Sequence, residues 1–98
     1  MSELSREKLT DEGLRTGLAG LPGWDLESGM LAKTFEFGSY WEGVEFAVFV
    51  AKVAEELDHH PDLTIGYRKV RVATSTHDAD GITAWDLELA KKASQLAG

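Results

Sequence analysis

The chain carries three imidazoles, His59, His60 and His77, and their spacing points to proton chemistry. His59 and His60 are adjacent and followed by Pro61. His77 comes seventeen residues after His60, within Ser75-Thr76-His77-Asp78. An imidazole has an ordinary pKa of about 6.5, so it gives or takes a proton near neutrality. The pair is expected at the end of a helix, where the dipole favours a cation. Glu55 and Asp58 add carboxylates there, and Pro61 stiffens the backbone after His60. A surface pair that merely caps the helix would show the same local features. His77 is expected at a strand end, beside hydroxyls and before the Asp80-Gly81 loop, where it could line a cleft. A solvated or structurally bonded histidine is the plain alternative. Asp86 falls in the apolar arc of the last helix, and an inward carboxylate needs partners. A capping box with Thr83 would supply them, and so would an imidazole or ligand that Asp86 orients.

Other chemistries fit less well. Three histidines could ligate zinc, but an adjacent pair seldom aims both rings at one ion, so no metal is expected. Ser75, His77 and Asp86 could form a triad, yet no nucleophile elbow accompanies them. Asp78-Ala79-Asp80-Gly81 lacks the later ligands of a calcium loop. The absence of cysteine excludes thiolate catalysis and disulfides.

These groups must be held by helices and strands that alternate along the chain. Thr10 is suited to cap a first helix over Asp11–Leu21, stopped by Pro22-Gly23. Strands are expected over Trp24–Ser28 and Leu31–Phe37, with Leu31, Phe35, Phe37 and Lys33 on one side. Ser39 and Glu42 form a capping box for a long helix from Tyr40 to about Leu57. Its main apolar arc holds Tyr40, Phe46, Ala47, Val50, Val53, Ala54 and Leu57. Trp41, Val44, Val48 and Phe49 lie outside that arc and suggest a second apolar contact, most simply a subunit interface. His59-His60-Pro61 ends the helix. Leu63–Tyr67 and Lys69–Thr76 read as further strands, and Thr83 with Asp86 opens a last helix to about Leu96. The order α-β-β-α-β-β-α implies an α+β sandwich, an antiparallel sheet covered by helices. Residues 1–9 read as a flexible N-terminal arm and residues 10–98 as one domain.

The net charge of −7 disfavours direct binding to nucleic acid or anionic membranes, although Arg68, Lys69 and Arg71 could make a small basic patch. No apolar run approaches the roughly 20 residues that span a bilayer, and no secretory leader is evident, so cytoplasmic residence is expected.

The spaced set Glu55-x3-His59-His60-Pro61-x5-Tyr67-x9-His77-x8-Asp86 resembles the signature of the pterin-4a-carbinolamine dehydratases. It comprises seven positions across 32 residues. The flanks agree from about Leu9 to Leu96, including Trp24, Phe35-x-Phe37 and Gly81-Ile82-Thr83. The resemblance implies helices on one face of a four-stranded antiparallel sheet, and a homodimer or homotetramer. It implies dehydration of 4a-hydroxytetrahydropterin to quinonoid dihydropterin, which recycles the tetrahydrobiopterin cofactor of aromatic amino acid hydroxylases. The pterin would be the substrate, and no further cofactor is implied. His59, His60 and His77 would form the acid–base and orienting set. Asp58, Ser75, Thr76 and Asp78 would hold the pterin ring, with Asp86 supporting it and Glu55, Pro61 and Tyr67 in secondary roles. Similar proteins also serve as non-catalytic partners, a transcription-factor dimerisation cofactor and an assembly factor for a carbon-fixing enzyme.

Overall fold

Alternation and capping residues define most of the elements in the computed structural model, which describes residues 5–98. The order is α1 (Asp11–Ala19), β1 (Asp25–Glu27), β2 (Met30–Glu36), α2 (Tyr40–Leu57), β3 (Asp62–Gly66), β4 (Lys69–Thr74) and α3 (Ala84–Ala97). A single 3-10 turn, His77–Ala79, lies between β4 and α3. This is the expected α+β arrangement, with four antiparallel strands in the order β1-β2-β4-β3.

Every second residue of the two central strands faces the helices. Leu31 and Phe35 of β2 are buried with Val70 and Val72 of β4. Phe46, Ala47 and Val50 of α2 and Ala90 and Ala93 of α3 complete the same apolar cluster. The tilted Phe35–Phe46 pair, 4.7 Å between ring centres, sits inside it. Register sets what lies at the sheet's end: Leu31 pairs with Thr74, so Met30 falls beside Ser75. A two-residue turn at Ser28-Gly29 joins β1 to β2, with φ of 51° and 80°. Positive φ at both central positions is the hairpin geometry that matches strand twist.

Several boundaries differ from the sequence expectation. Helix α1 ends at Ala19 with Gly20 as its cap, and the following turns bury Leu21 and Trp24. The Trp24 indole N–H then donates to Ser94 Oγ at 2.8 Å, which ties this corner to α3. β1 shrinks to three residues, and β4 stops at Thr74 rather than Thr76. In α2, Gly43 is buried while Tyr40 is 53% exposed, because the first turn of the helix carries Tyr40 away from the core. Leu96 is likewise exposed near the end of α3. Trp41, Val48 and Phe49 remain exposed along α2, and Val44 is half-buried.

The start of α2 is capped by a variant of the expected box. Ser39 Oγ accepts from the Glu42 N–H at 3.1 Å, but the Glu42 carboxylate reaches back to Gly38 N–H rather than to Ser39. Ser39→Ala should therefore destabilise the protein by about 1 kcal/mol in urea denaturation, the usual cost of a lost N-cap. An unchanged midpoint would mean that Glu42 alone secures this end.

Residues 5–9, part of the expected arm, make defined contacts, whereas residues 1–4 lie outside the described region. Leu9 N–H donates to the Ile82 carbonyl at 2.8 Å, and Leu9 packs on the core. The Arg6 guanidinium lies 4.8 Å from the centre of the Trp85 ring. No described helix is long and apolar enough to cross a membrane.

Candidate active site

The C-terminus of α2 decides where the two adjacent imidazoles point. Asp58 takes the left-handed conformation (φ 52°, ψ 44°), which a short polar residue tolerates better than most. Its N–H bonds back to the helix, and His59 N–H donates to the Ala54 carbonyl at 3.0 Å. This closes the helix in the left-handed turn common at such ends. The reversal sends His59 inward, where it is 7% exposed, and leaves His60 at the surface.

The inward imidazole meets a carboxylate that is fully buried. His59 Nε2 lies 2.6 Å from Asp86 Oδ1, and Thr74 Oγ1 donates to the same oxygen at 2.7 Å. The other oxygen, Oδ2, accepts from Thr76 Oγ1 at 2.8 Å and from Thr83 N–H at 2.9 Å. Thr76 gives its only hydroxyl proton to Asp86, so the 2.8 Å contact between Thr76 and Thr83 requires Thr83 to donate. Thr83 Oγ1 in turn accepts from Trp85 N–H, and with Asp86 it completes the capping box of α3. The two explanations offered for Asp86 thus hold together: it caps its own helix and holds His59. The network joins the end of α2, the end of β4 and the start of α3.

The outward side forms a cleft of about 360 Å³ at the end of the sheet. Ligand sites usually span roughly 300–1,000 Å³, so the space suits one small bicyclic molecule. His60 and His77 both line it, together with Ser75 and Thr76. His60 Nε2 contacts Glu55 Oε2 at 2.5 Å, across a pair that is largely exposed. His77 is held in the short turn by a bridge between Thr76 and Gly81, whose Thr76 N–H to Gly81 carbonyl bond is 2.8 Å.

Four of the residues singled out in the sequence therefore meet in one cleft. His59 and Asp86 lie behind it, linked to its wall through Thr76. Asp58, Asp78, Glu55 and Pro61 are not among its lining residues, although Glu55 reaches it by way of His60. Tyr67 is 76% exposed in the β3–β4 turn, at the opposite end of that hairpin from Asp62. The cleft also contains residues that sequence reasoning passed over. Ser28, Gly29 and Met30 enter from the β1–β2 hairpin and Asp62 from the start of β3, while the expected Asp80-Gly81 loop completes it. The break between the two expected strands left room for a turn after Ser28, but its approach to Ser75 depends on a strand pairing remote in sequence. Among the described residues, no group of three or more His, Asp or Glu side chains is arranged to hold a metal ion.

Two imidazoles on a polar cleft, one of them paired with an exposed carboxylate, suit proton transfer to a small heteroatom-rich molecule. Comparison with known proteins agrees at the level of family. Residues 7–96 match the family model described as pterin 4 alpha carbinolamine dehydratase. A Streptomyces coelicolor protein named "Putative pterin-4-alpha-carbinolamine dehydratase" is 45% identical over 92 residues, covering 93% of this chain and 91% of that protein. A Natronomonas pharaonis protein of the same name is 45% identical over 91 residues, covering 93% and 97%. Among solved structures, a transcriptional coactivator/pterin dehydratase from Brucella melitensis superposes with a TM-score of 0.89 at 31% identity, covering 94% of this chain and all of that one. A pterin dehydratase-like protein described as a RuBisCO assembly factor in the alpha-carboxysome gives 0.63 at 26% identity, covering 76% and 87%. With the matched span enclosing every element that builds the cleft, the chain belongs to the pterin-4-alpha-carbinolamine dehydratase family.

Proposed function

We propose that the protein dehydrates a 4a-hydroxytetrahydropterin to the quinonoid dihydropterin, as a step in recycling a tetrahydropterin cofactor. The observation that carries this reading is the shared cleft of His60 and His77. The reaction breaks the C4a–O bond, removes the proton on N5 and forms a double bond between N5 and C4a. The departing hydroxyl takes up a proton and leaves as water. Two imidazoles facing one small site can supply both an acid and a base. In this reading His60 and His77 divide the acid and base roles, and Glu55 holds His60. His59 acts as a positioning residue, because its Nε2 is engaged by Asp86. Ser75 and Thr76 supply polar contacts to the ring. The exposed Trp41, Val48 and Phe49 would lie between subunits of a homodimer or homotetramer.

A second reading, a non-catalytic binding protein, draws on the same exposed side chains of α2. A stopped-flow assay of 4a-hydroxytetrahydropterin dehydration separates the two. The enzyme reading expects wild-type protein to exceed the buffer rate, with a rate that varies with pH as acid–base catalysis does. A rate equal to buffer sinks it, and a flat profile with chemistry limiting removes histidine from the proton steps.

A further inference from the structure

The loop that carries His77 owes its shape to its own bonds. Thr76 N–H donates to the Gly81 carbonyl at 2.8 Å, Ala79 N–H to the Thr76 carbonyl at 3.1 Å, and Asp80 N–H to the His77 carbonyl at 3.0 Å. Those bonds set the curl of the loop but not its angle against the sheet. His77, Asp78 and Asp80 are exposed, and a space of about 190 Å³ separates Asp80 and Gly81 from Leu26 and Gly29 of the β1–β2 hairpin. An unpacked flank supplies no opposing atoms, so the hairpin leaves the loop room to swing. The contact that closes on it comes from the N-terminal segment. A Cβ at Gly81 would come within 2.7 Å of Lys8 Cε and 3.0 Å of Lys8 Cγ, so the lysine stem lies directly on the glycine. Leu9 anchors the segment, through its N–H bond to the Ile82 carbonyl at 2.8 Å and its packing on the core. Arg6 reaches further along the same stretch and lies over Trp85, the neighbour of Asp86.

We propose that residues 6–9 are a strap that sets the position of the His77 loop, with Lys8 as a positioning residue that acts through Gly81. The proposal rests on the dehydratase reading above, in which His77 exchanges a proton with the pterin. The role is one of packing: the methylenes of Lys8, rather than its ammonium, bear on the loop. A reacting group displaced by about 1 Å can cost about 10²-fold in rate, so a loosened loop lowers turnover well before it harms folding.

Stopped-flow dehydration, amide hydrogen exchange and urea denaturation of the full chain test this. Lys8→Ala should lower kcat about fivefold, a modest value for residues in contact, and speed exchange at Ala79, Asp80 and Gly81 by a similar factor. Exchange at Val70 and Val72 and the urea midpoint should not move, because Lys8 is exposed. Lys8→Met keeps an unbranched stem without the charge and should recover wild-type kcat. Gly81→Ala should cost about fivefold in wild type, where its methyl meets the stem, and add little in Lys8→Ala, where the stem is gone. Wild-type kcat and exchange in Lys8→Ala overturn the strap. So does a Lys8→Met as impaired as Lys8→Ala, or a Gly81→Ala cost that is equal in the two backgrounds. If wild type is no faster than buffer, the dehydratase reading falls and the catalytic role of Lys8 with it, while the exchange comparison still decides whether the strap holds the loop.

Discussion

His77→Ala and His60→Ala should each lower the dehydration rate by about 10²–10⁴-fold, the usual contribution of one positioned acid or base. Their shared place on the cleft wall gives a sharper expectation for the double variant. If one imidazole protonates the leaving hydroxyl and the other accepts from N5 in the same transition state, losses from the two substitutions should not simply multiply. The combined loss should fall well short of the product of the single losses. Glu55→Gln supplies a graded control. It leaves His60 in place but removes the carboxylate 2.5 Å from its Nε2, on a pair too exposed to matter much for stability. Its rate should fall less than that of His60→Ala, with the change concentrated in the pH dependence. Should His60→Ala and His77→Ala both retain wild-type rates while the wild type exceeds buffer, the reaction must be carried from elsewhere on the cleft.

The legible and illegible parts of this site divide along a physical line. Local features were readable because their causes are local. His59-His60-Pro61 announces a helix end, Thr83 with Asp86 announces a helix start, and the run Lys69–Thr76 announces a strand, which ends at Thr74. The separation of the two adjacent imidazoles was not readable. It depends on one left-handed residue, Asp58, and on a carboxylate 27 positions away that claims His59 and leaves His60 to the cleft. The contribution of Ser28, Gly29 and Met30 was hidden for a related reason. Which residues meet at the end of a sheet is set by the β2–β4 register, and that pairing spans some forty residues of chain. Tyr67 shows the converse: it sits in the spaced motif, but the β3–β4 hairpin carries it to the other end of the sheet.

Asp86→Ala should cost about 3–5 kcal/mol of folding stability, a large share of the roughly 5–15 kcal/mol that holds a domain together. The carboxylate is fully buried and accepts four hydrogen bonds, from His59, Thr74, Thr76 and Thr83 N–H. Removing it leaves those largely buried donors without their acceptor, which costs more than the bonds themselves contributed. Asp86→Asn isolates charge and hydrogen-bond polarity from volume. The amide has nearly the same shape but only one acceptor oxygen, so whichever way it turns, two of the four donors lose their acceptor. That variant should lose about 2–4 kcal/mol in urea denaturation. Thr74→Val removes one donor and keeps the others, so it should lose only about 1 kcal/mol. The ordering Ala, Asn, then Val is the signature of a saturated acceptor at the junction of three elements. If Asp86→Asn proves as stable as wild type, the network holds neither His59 nor Thr76 in place. The cleft geometry must then be maintained by backbone alone.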